Sequence, residues 1–228
     1  MNNKNFATVS KDIVDLFLQN TNYDDKALTI FLLLRFCASN SFQLYANDIM
    51  LCEMMNLSNR PENRNSIMSN ILQMEKDNLL IIVRDPKKKF FRIDLDYNMF
   101  MPQDNYVIIY KEEFDTLFNE KSRDKLLLLL YCIKKFQYKK TGISFPSVET
   151  IMDSSHISKP TVCRGIEKLY DVLDIYKAII IFNDGDIKET NYYRSLTDGR
   201  MSEDQVERIV RKYYKNVKDI KRKENNKC

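Results

Sequence analysis

The chain of 228 residues is 44% hydrophobic and 30% charged, the balance of a globular protein of one or two domains with enough length to bury a sizeable core. It holds only 4 glycines, against roughly 16 expected at about 7% usage, and Gly142, Gly165, Gly185 and Gly199 lie too far apart to share a loop, which excludes glycine-rich phosphate cradles. A single histidine, His156, and five cysteines without a CxxC spacing leave little for zinc or histidine-base chemistry, and the net charge of +4 is too small to set up a global positive field.

Residues 1–22 are read as a lead-in segment, with no apolar stretch of signal-peptide length. The most apolar runs, 27–34 and 126–133, are too short to span a membrane. A cytoplasmic protein with reduced cysteines and no membrane contact is expected.

From residue 23 onward one order of elements occurs twice. In the first copy, assigned to residues 23–100, Asp25-Lys26-Ala27-Leu28 opens a helical apolar run to Cys37. An extended piece over 42–45 follows, then the helix starter Asn47, a short helix over 48–55 and a turn at Ser58. A longer helix carries Ile67, Ile71 and Met74 at helical spacing. Strands over 79–84 and 90–94 close the copy around the turn Asp85-Pro86-Lys87-Lys88-Lys89.

The second copy, assigned to residues 101–199, begins with Asp124-Lys125-Leu126-Leu127 and a helical run to Phe136. It continues with an extended piece over 142–145, the starter Ser147, a helix over 148–153, a turn at Ser158 and a helix with Val162, Ile166 and Leu169. Strands over 178–182 and 187–193 flank Asn183-Asp184-Gly185-Asp186, and Asp-Gly is a strong hairpin signal. Asp25 and Asp124 are 99 residues apart, Asn47 and Ser147 are 100 apart, and Ile67 and Val162 only 95, so residues 59–63 are extra in the first copy.

Helix, short strand, helix, turn, helix, hairpin is the order of a winged helix-turn-helix. The expected fold class is therefore mainly α with small β-hairpins (α+β): two winged helix-turn-helix domains plus a C-terminal amphipathic helix. The stretch Phe145-Pro146-Ser147-Val148-Glu149-Thr150-Ile151, followed by Ile157-Ser158-Lys159-Pro160-Thr161-Val162-Cys163-Arg164-Gly165-Ile166-Glu167-Lys168-Leu169, resembles the helix-turn-helix of bacterial winged-helix proteins. Thr190-Asn191-Tyr192-Tyr193 is similar to the strand that closes the wing in replication and regulatory proteins of low-GC bacteria, their plasmids and phages. Over residues 24–97 the likeness is one of element order.

A recognition helix places short polar and basic side chains at its N-terminal turns, where they meet base edges and phosphates. In the second domain these are Ser158, Lys159, Thr161 and Arg164, with Lys168 a turn further and Ser147 at the preceding helix start. Arg164 is suited to bidentate contact with guanine. The competing reading is a solvated face of an amphipathic helix. In the first domain the equivalent set is Asn59, Arg60, Asn63, Arg64 and Asn65, as base readers or as part of a partner-binding or structural copy. Lys87, Lys88 and Lys89, between Arg84 and Arg92, make the first wing a phosphate or minor-groove contact, whereas Asp184 and Asp186 make the second wing tip acidic.

Residues 200–228 carry ten basic and five acidic side chains, and Ser202-Glu203-Asp204-Gln205 is a capping box. Val206, Ile209, Val210, Tyr213, Val217 and Ile220 fall on one stripe, predicting an amphipathic helix of about 19 residues. It docks on its own second domain or on a partner subunit of a homodimer; the alternative is that its basic face meets DNA. The carboxylate pairs Asp94/Asp96 and Asp184/Asp186 read as strand-face and turn residues. Ser154 and Ser155 beside His156 are adjacent in sequence and poorly placed for a Ser–His–Asp triad. No catalytic, metal or cofactor constellation is found.

The sequence thus leads to a non-enzymatic, sequence-specific binder of double-stranded DNA. The resemblance implies a plasmid- or phage-type replication initiator or replisome organiser. The alternatives are a transcriptional regulator on the same tandem fold, and a winged-helix interaction module serving the replication or transcription machinery.

Overall fold

A computed structural model describes residues 5–96 and 106–223. The domain boundary assigned at 100/101, and with it Lys227 and Cys228 of the tail, lies outside the described residues. The chain is α+β, and among the described residues its strands form small antiparallel sheets. It divides into two compact units, residues 1–128 and 129–228.

The first unit opens with strand β1 (Phe6–Ser10) and helix α1 (Lys11–Gln19), where the sequence pattern suggests only a lead-in. The Ser10 hydroxyl accepts the Asp12 N–H and starts α1. Helix α2 (Ala27–Cys37) is apolar all round, with Leu28, Ile30, Phe31, Leu32, Leu33 and Leu34 buried, and forms the centre of this core. Strand β2 (Gln43–Ala46) leads into α3 (Asp48–Met54), whose first turn is capped by Asn47 accepting from the Met50 N–H at 2.9 Å.

Helix α4 (Pro61–Lys76) buries Ile67, Ile71 and Met74, the predicted apolar face, and strands β3 (Leu80–Val83) and β4 (Phe91–Leu95) form the expected hairpin. The sheet order is β2-β4-β3, with Leu44 opposite Ile93 and Ile82 opposite Ile93 from the other side.

Strand β5 (Tyr106–Tyr110) and helix α5 (Lys111–Phe118) then repeat β1 and α1 with the same 100-residue spacing: Phe6 corresponds to Tyr106 and Lys11 to Lys111. Each copy therefore begins with a strand and helix ahead of the elements predicted for it. β1 and β5 pair antiparallel, running from Phe6↔Tyr110 through Thr8↔Ile108 to Ser10↔Tyr106.

Asp24 sets the position of α4 against α2. Its carboxylate accepts from Ser66 Oγ at 2.6 Å, from Asn70 Nδ2 at 2.9 Å and from the Lys26 N–H at 2.9 Å, and it pairs with Lys26 Nζ at 3.2 Å. Burial alone would raise its pKa. The hydrogen bonds from Ser66, Lys26 and Asn70, with the Lys26 charge, outweigh that and hold it below the usual aspartate value. Asp24→Ala removes the acceptor shared by Ser66, Lys26 and the 2%-exposed Asn70, whose amide nitrogen keeps only the Ser66 carbonyl at 2.9 Å, and a loss of about 1–3 kcal/mol is expected. Because the folded pKa is depressed, this stabilisation is present above the unfolded value of ~3.9 and is lost as pH falls through the lower folded value. Urea denaturation of both proteins should show the full difference at pH 7 and a shrinking one below pH ~4; a constant difference would contradict the charge assignment.

Helix α6 (Arg123–Lys134) crosses from the first unit into the second. There the chain makes only the isolated bridges Tyr138↔Ile143 and Ser144↔Tyr193 before α7 (Val148–Ser155), where the first copy has β2. Ser147 caps α7 by accepting from the Thr150 N–H at 3.1 Å, as Asn47 does for α3. Helix α8 (Lys159–Lys168) and strands β6 (Leu173–Phe182) and β7 (Ile187–Ser195) follow, β6 starting five residues before its predicted beginning at Ala178.

Both copies leave their short helix through a left-handed residue, Asn56 (φ 48°) and His156 (φ 55°), again 100 positions apart. The five extra residues of the first copy divide between turn and helix. α4 begins six residues before Ile67, whereas α8 begins three before Val162, so α4 projects about one further turn.

The tail departs from the predicted single helix. The Ser202/Gln205 capping box is formed, but helix α9 (Glu203–Tyr213) stops at Tyr213. After a left-handed Asn216 (φ 60°) the chain becomes strand β8 (Val217–Arg222), paired with β6 through Ile220↔Ile180 in the order β7-β6-β8. The physical reason is the open edge of β6, whose backbone groups pair with β8. A bulge at Ile181/Phe182 lets Val217 and Ile220, three residues apart, both pack on the core, which a regular strand would forbid. Val206, Ile209 and Val210 are buried against Ile143, Tyr176, Ala178, Ile180 and Tyr192 of the same unit. Apart from Tyr213, which is 46% exposed, the apolar stripe is thus covered by its own chain, which removes the reason for assigning it to a partner subunit.

Candidate nucleic-acid interface

In the second unit α8 buries Val162, Gly165 and Ile166 and turns Lys159, Cys163, Arg164 and Lys168 outward, together with Pro160 and Glu167. Cys163 and Glu167 are not among the residues expected from the sequence, although their spacing opposite Val162, Ile166 and Leu169 places them on this face. Ser158 occupies the helix start, and its hydroxyl lies 3.1 Å from that of Thr161. Arg164 donates from Nε to the Pro160 carbonyl at 3.2 Å, which steers its exposed guanidinium along the N-terminal half of the helix.

Lys159 Nζ lies 3.3 Å from Glu149 Oε1. The Glu149 backbone N–H, and then Lys159, hold that carboxyl below its ordinary range. A cleft of about 290 Å³ opens between the start of α7, the start of α8 and the hairpin, lined by Ser147, Glu149, Lys159, Lys188, Asn191 and Tyr214. Tyr214 arrives from the tail. Nothing near it in sequence announces this position, because it depends on the packing of α9.

The predicted residues of the first copy separate into different roles. Asn59, Arg60 and Asn65 are exposed, with Arg60 at the N-cap of α4. Asn63, expected as a base reader, instead donates from its amide to the Ser58 carbonyl at 2.8 Å and lies 3.1 Å from the Ser58 hydroxyl, so its donors hold the turn. Arg64 pairs with Asp48 at 3.6 Å. The two copies share this device: a carboxylate in the first turn of the second helix, Asp48 or Glu149, meets a cation from the third, Arg64 or Lys159. Exposed pairs of this kind add little to stability, and a phosphate can take over the cation at small cost.

Lys87, Lys88 and Lys89 stand exposed on the β3–β4 turn, shaped by Asp85, which accepts the Lys87 N–H on its side chain at 3.0 Å and the Lys88 N–H on its carbonyl at 2.9 Å. Asp184 plays the matching part in the other hairpin, accepting the Asp186 N–H at 3.1 Å.

His156 caps the C-terminus of α7 in the left-handed region, and the buried Ser155 hydroxyl donates to the Ile151 carbonyl at 2.7 Å. Neither is arranged as a nucleophile and base. Asp94 is held by Arg92 at 2.8 Å, on the sheet face. The four described cysteines, Cys37, Cys52, Cys132 and Cys163, are free thiols. Among the described residues no three or more His, Cys, Asp or Glu gather as a metal site, and no helix is long and apolar enough to cross a membrane. No family model matches the sequence, and no curated protein matches it.

Proposed function

We propose that this chain is a sequence-specific binder of double-stranded DNA, built from two winged helix-turn-helix copies in which α4 and α8 are the recognition helices and the hairpins are the wings. The observation that carries the reading is the cleft repeated in both copies. In each, the start of one helix, a second helix and a hairpin surround a concave surface, the second helix contributing Met68 from the middle of α4 in the first copy and Lys159 from the start of α8 in the second, and exposed basic side chains, Arg60 or Lys159 and Arg164, stand at the beginning of that second helix. That is the arrangement in which a helix enters the major groove while a wing follows the backbone.

Arg164 reads a base edge, and Lys159 contacts phosphate after leaving Glu149. Within this class we assign a replication initiator or replisome organiser, on the resemblance of residues 145–196 and of Thr190-Asn191-Tyr192-Tyr193 to such proteins. Footprinting on the DNA flanking its own gene decides the role: direct repeats support an initiator, and a single promoter palindrome supports a regulator.

Arg164→Ala should cost roughly 1–3 kcal/mol of discrimination at one base position while leaving the thermal midpoint unchanged, because the side chain is exposed. Competition binding with single-base variants of the footprinted site measures it. Wild-type preference in Arg164→Ala would refute α8 as a recognition helix, and failure of the protein to bind any duplex above the nonspecific level would refute the function.

A further inference from the structure

The two repeat-related clefts differ in size and in chemistry. The cleft of the first copy encloses about 550 Å³, against about 290 Å³ in the second. Its walls include the apolar side chains of Met68, Phe90 and Phe91, with three cations, Arg84, Lys88 and Lys89, and two carboxylates, Asp48 and Asp85, around them. Phe90 is 46% exposed, an uncommon setting for a phenyl ring that directly follows three lysines. Lys88 has only the distant Asp85 at 3.6 Å, with both side chains largely open to water, and Arg84 and Lys89 form no ion pair among the described residues. The second cleft contains Glu149 and Glu189, and its hairpin turn carries Asp184 and Asp186.

We propose that the first cleft binds single-stranded DNA, taking one unstacked base onto Phe90 and the neighbouring phosphates onto Arg84, Lys88 and Lys89. A contact to duplex phosphates needs cations alone, and the second cleft, although it has the aromatic rings of Phe145, Tyr193 and Tyr214 in its lining, matches its two lysines with Glu149 and Glu189. An exposed ring enclosed by cations matches a different ligand: a flat apolar face next to a negative charge, which is a nucleobase with its phosphate. In a duplex that face is hidden by stacking, and an unpaired strand presents it. The volume falls within the range of small-ligand sites, and the positive rim attracts a polyanion while the acidic turn of the other hairpin repels one. The inference deepens the DNA-binding reading by giving the first copy an unpaired strand to hold in addition to the duplex that its helix and wing contact, and it stands or falls separately from α8.

The test uses the full chain, a fluorescein-labelled 16-nucleotide oligothymidylate and the footprinted duplex, with anisotropy as the readout. Phe90→Ala should weaken oligothymidylate binding about tenfold, the worth of one base–aromatic stack, and Phe90→Tyr should restore it. Duplex affinity should change less than twofold in both variants. A 2-aminopurine placed in the strand should lose fluorescence on binding wild type and keep it with Phe90→Ala. Circular dichroism melts confirm folding, which an exposed ring should not disturb. Equal oligothymidylate affinity in wild type and Phe90→Ala overturns the proposal and leaves duplex recognition intact. Thymidine monophosphate competing as tightly as the strand also overturns it, in favour of a free-nucleotide pocket. Strand binding that depends on Phe90, with no specific duplex bound, would uphold this site and refute the proposed function.

Discussion

Ending the chain at Gly199 is expected to lower the thermal midpoint of the second unit by more than 20 °C while leaving the number of chains per particle unchanged. The cut removes Val206 and Val210, both 0% exposed, and Ile209, 8% exposed, from one apolar cluster, and it uncovers Tyr176, Ile180 and Tyr192 beneath them. At about 1.5–3 kcal/mol for each fully buried aliphatic side chain the loss is on the order of 5–8 kcal/mol. A unit of this size shifts by roughly 4–8 °C per kcal/mol. The cut also strips β8 from β6 and reopens a sheet edge carrying Ile179 and Ile181. Calorimetry and light scattering read the two quantities separately. Val210→Ala gives a milder version, a loss of about 2 kcal/mol, should the truncated protein fail to fold. An unchanged midpoint together with a halved mass would show that the tail serves a second copy.

Replacing Lys87, Lys88 and Lys89 together by glutamine should weaken binding to every DNA sequence alike and flatten its salt dependence. Each phosphate deprived of its cation takes about 0.9 from the slope of log affinity against log salt, so three such phosphates take up to about 2.7. The lysines are exposed on a turn whose shape is kept by Asp85, so the hairpin survives the change. Asp184→Lys with Asp186→Lys should act in the opposite sense and raise affinity, because it removes two carboxylates from the other turn. Titrations at several salt concentrations decide the matter. A slope equal to that of the wild type in the triple variant would take the first hairpin off the DNA.

The parts of the fold that are legible in the sequence are those fixed by local chemistry. Asn47 and Ser147 announce helix starts because a side-chain oxygen can cap the turn beside it, and Ile67, Ile71 and Met74 mark a buried face because their spacing follows the helix period. Strand β1 is not legible, because five residues without a neighbouring partner carry no signal and its partner lies about 100 positions away. The tail misleads for the same reason. Val206 to Ile220 fits a helical stripe, and only the edge of β6 turns its second half into a strand. At the candidate interface the residue types are legible and their commitments are not. Asn63 bonds back to Ser58, and Lys159 and Arg64 face carboxylates contributed by other helices, choices made by side-chain geometry after the backbone is in place.

In the ladder between β1 and β5, Phe6 faces Tyr110 while Tyr106, the counterpart of Phe6, faces Ser10, the counterpart of Tyr110; at the centre Thr8 faces Ile108, its own counterpart. This reciprocity is the rule of an isologous contact, in which one surface meets a second example of itself around a local dyad. Here both surfaces belong to one polypeptide. The ladder satisfies, inside one compact unit, the rule that two copies of a single strand would follow, and a chain lacking β5 would present β1 as an open edge.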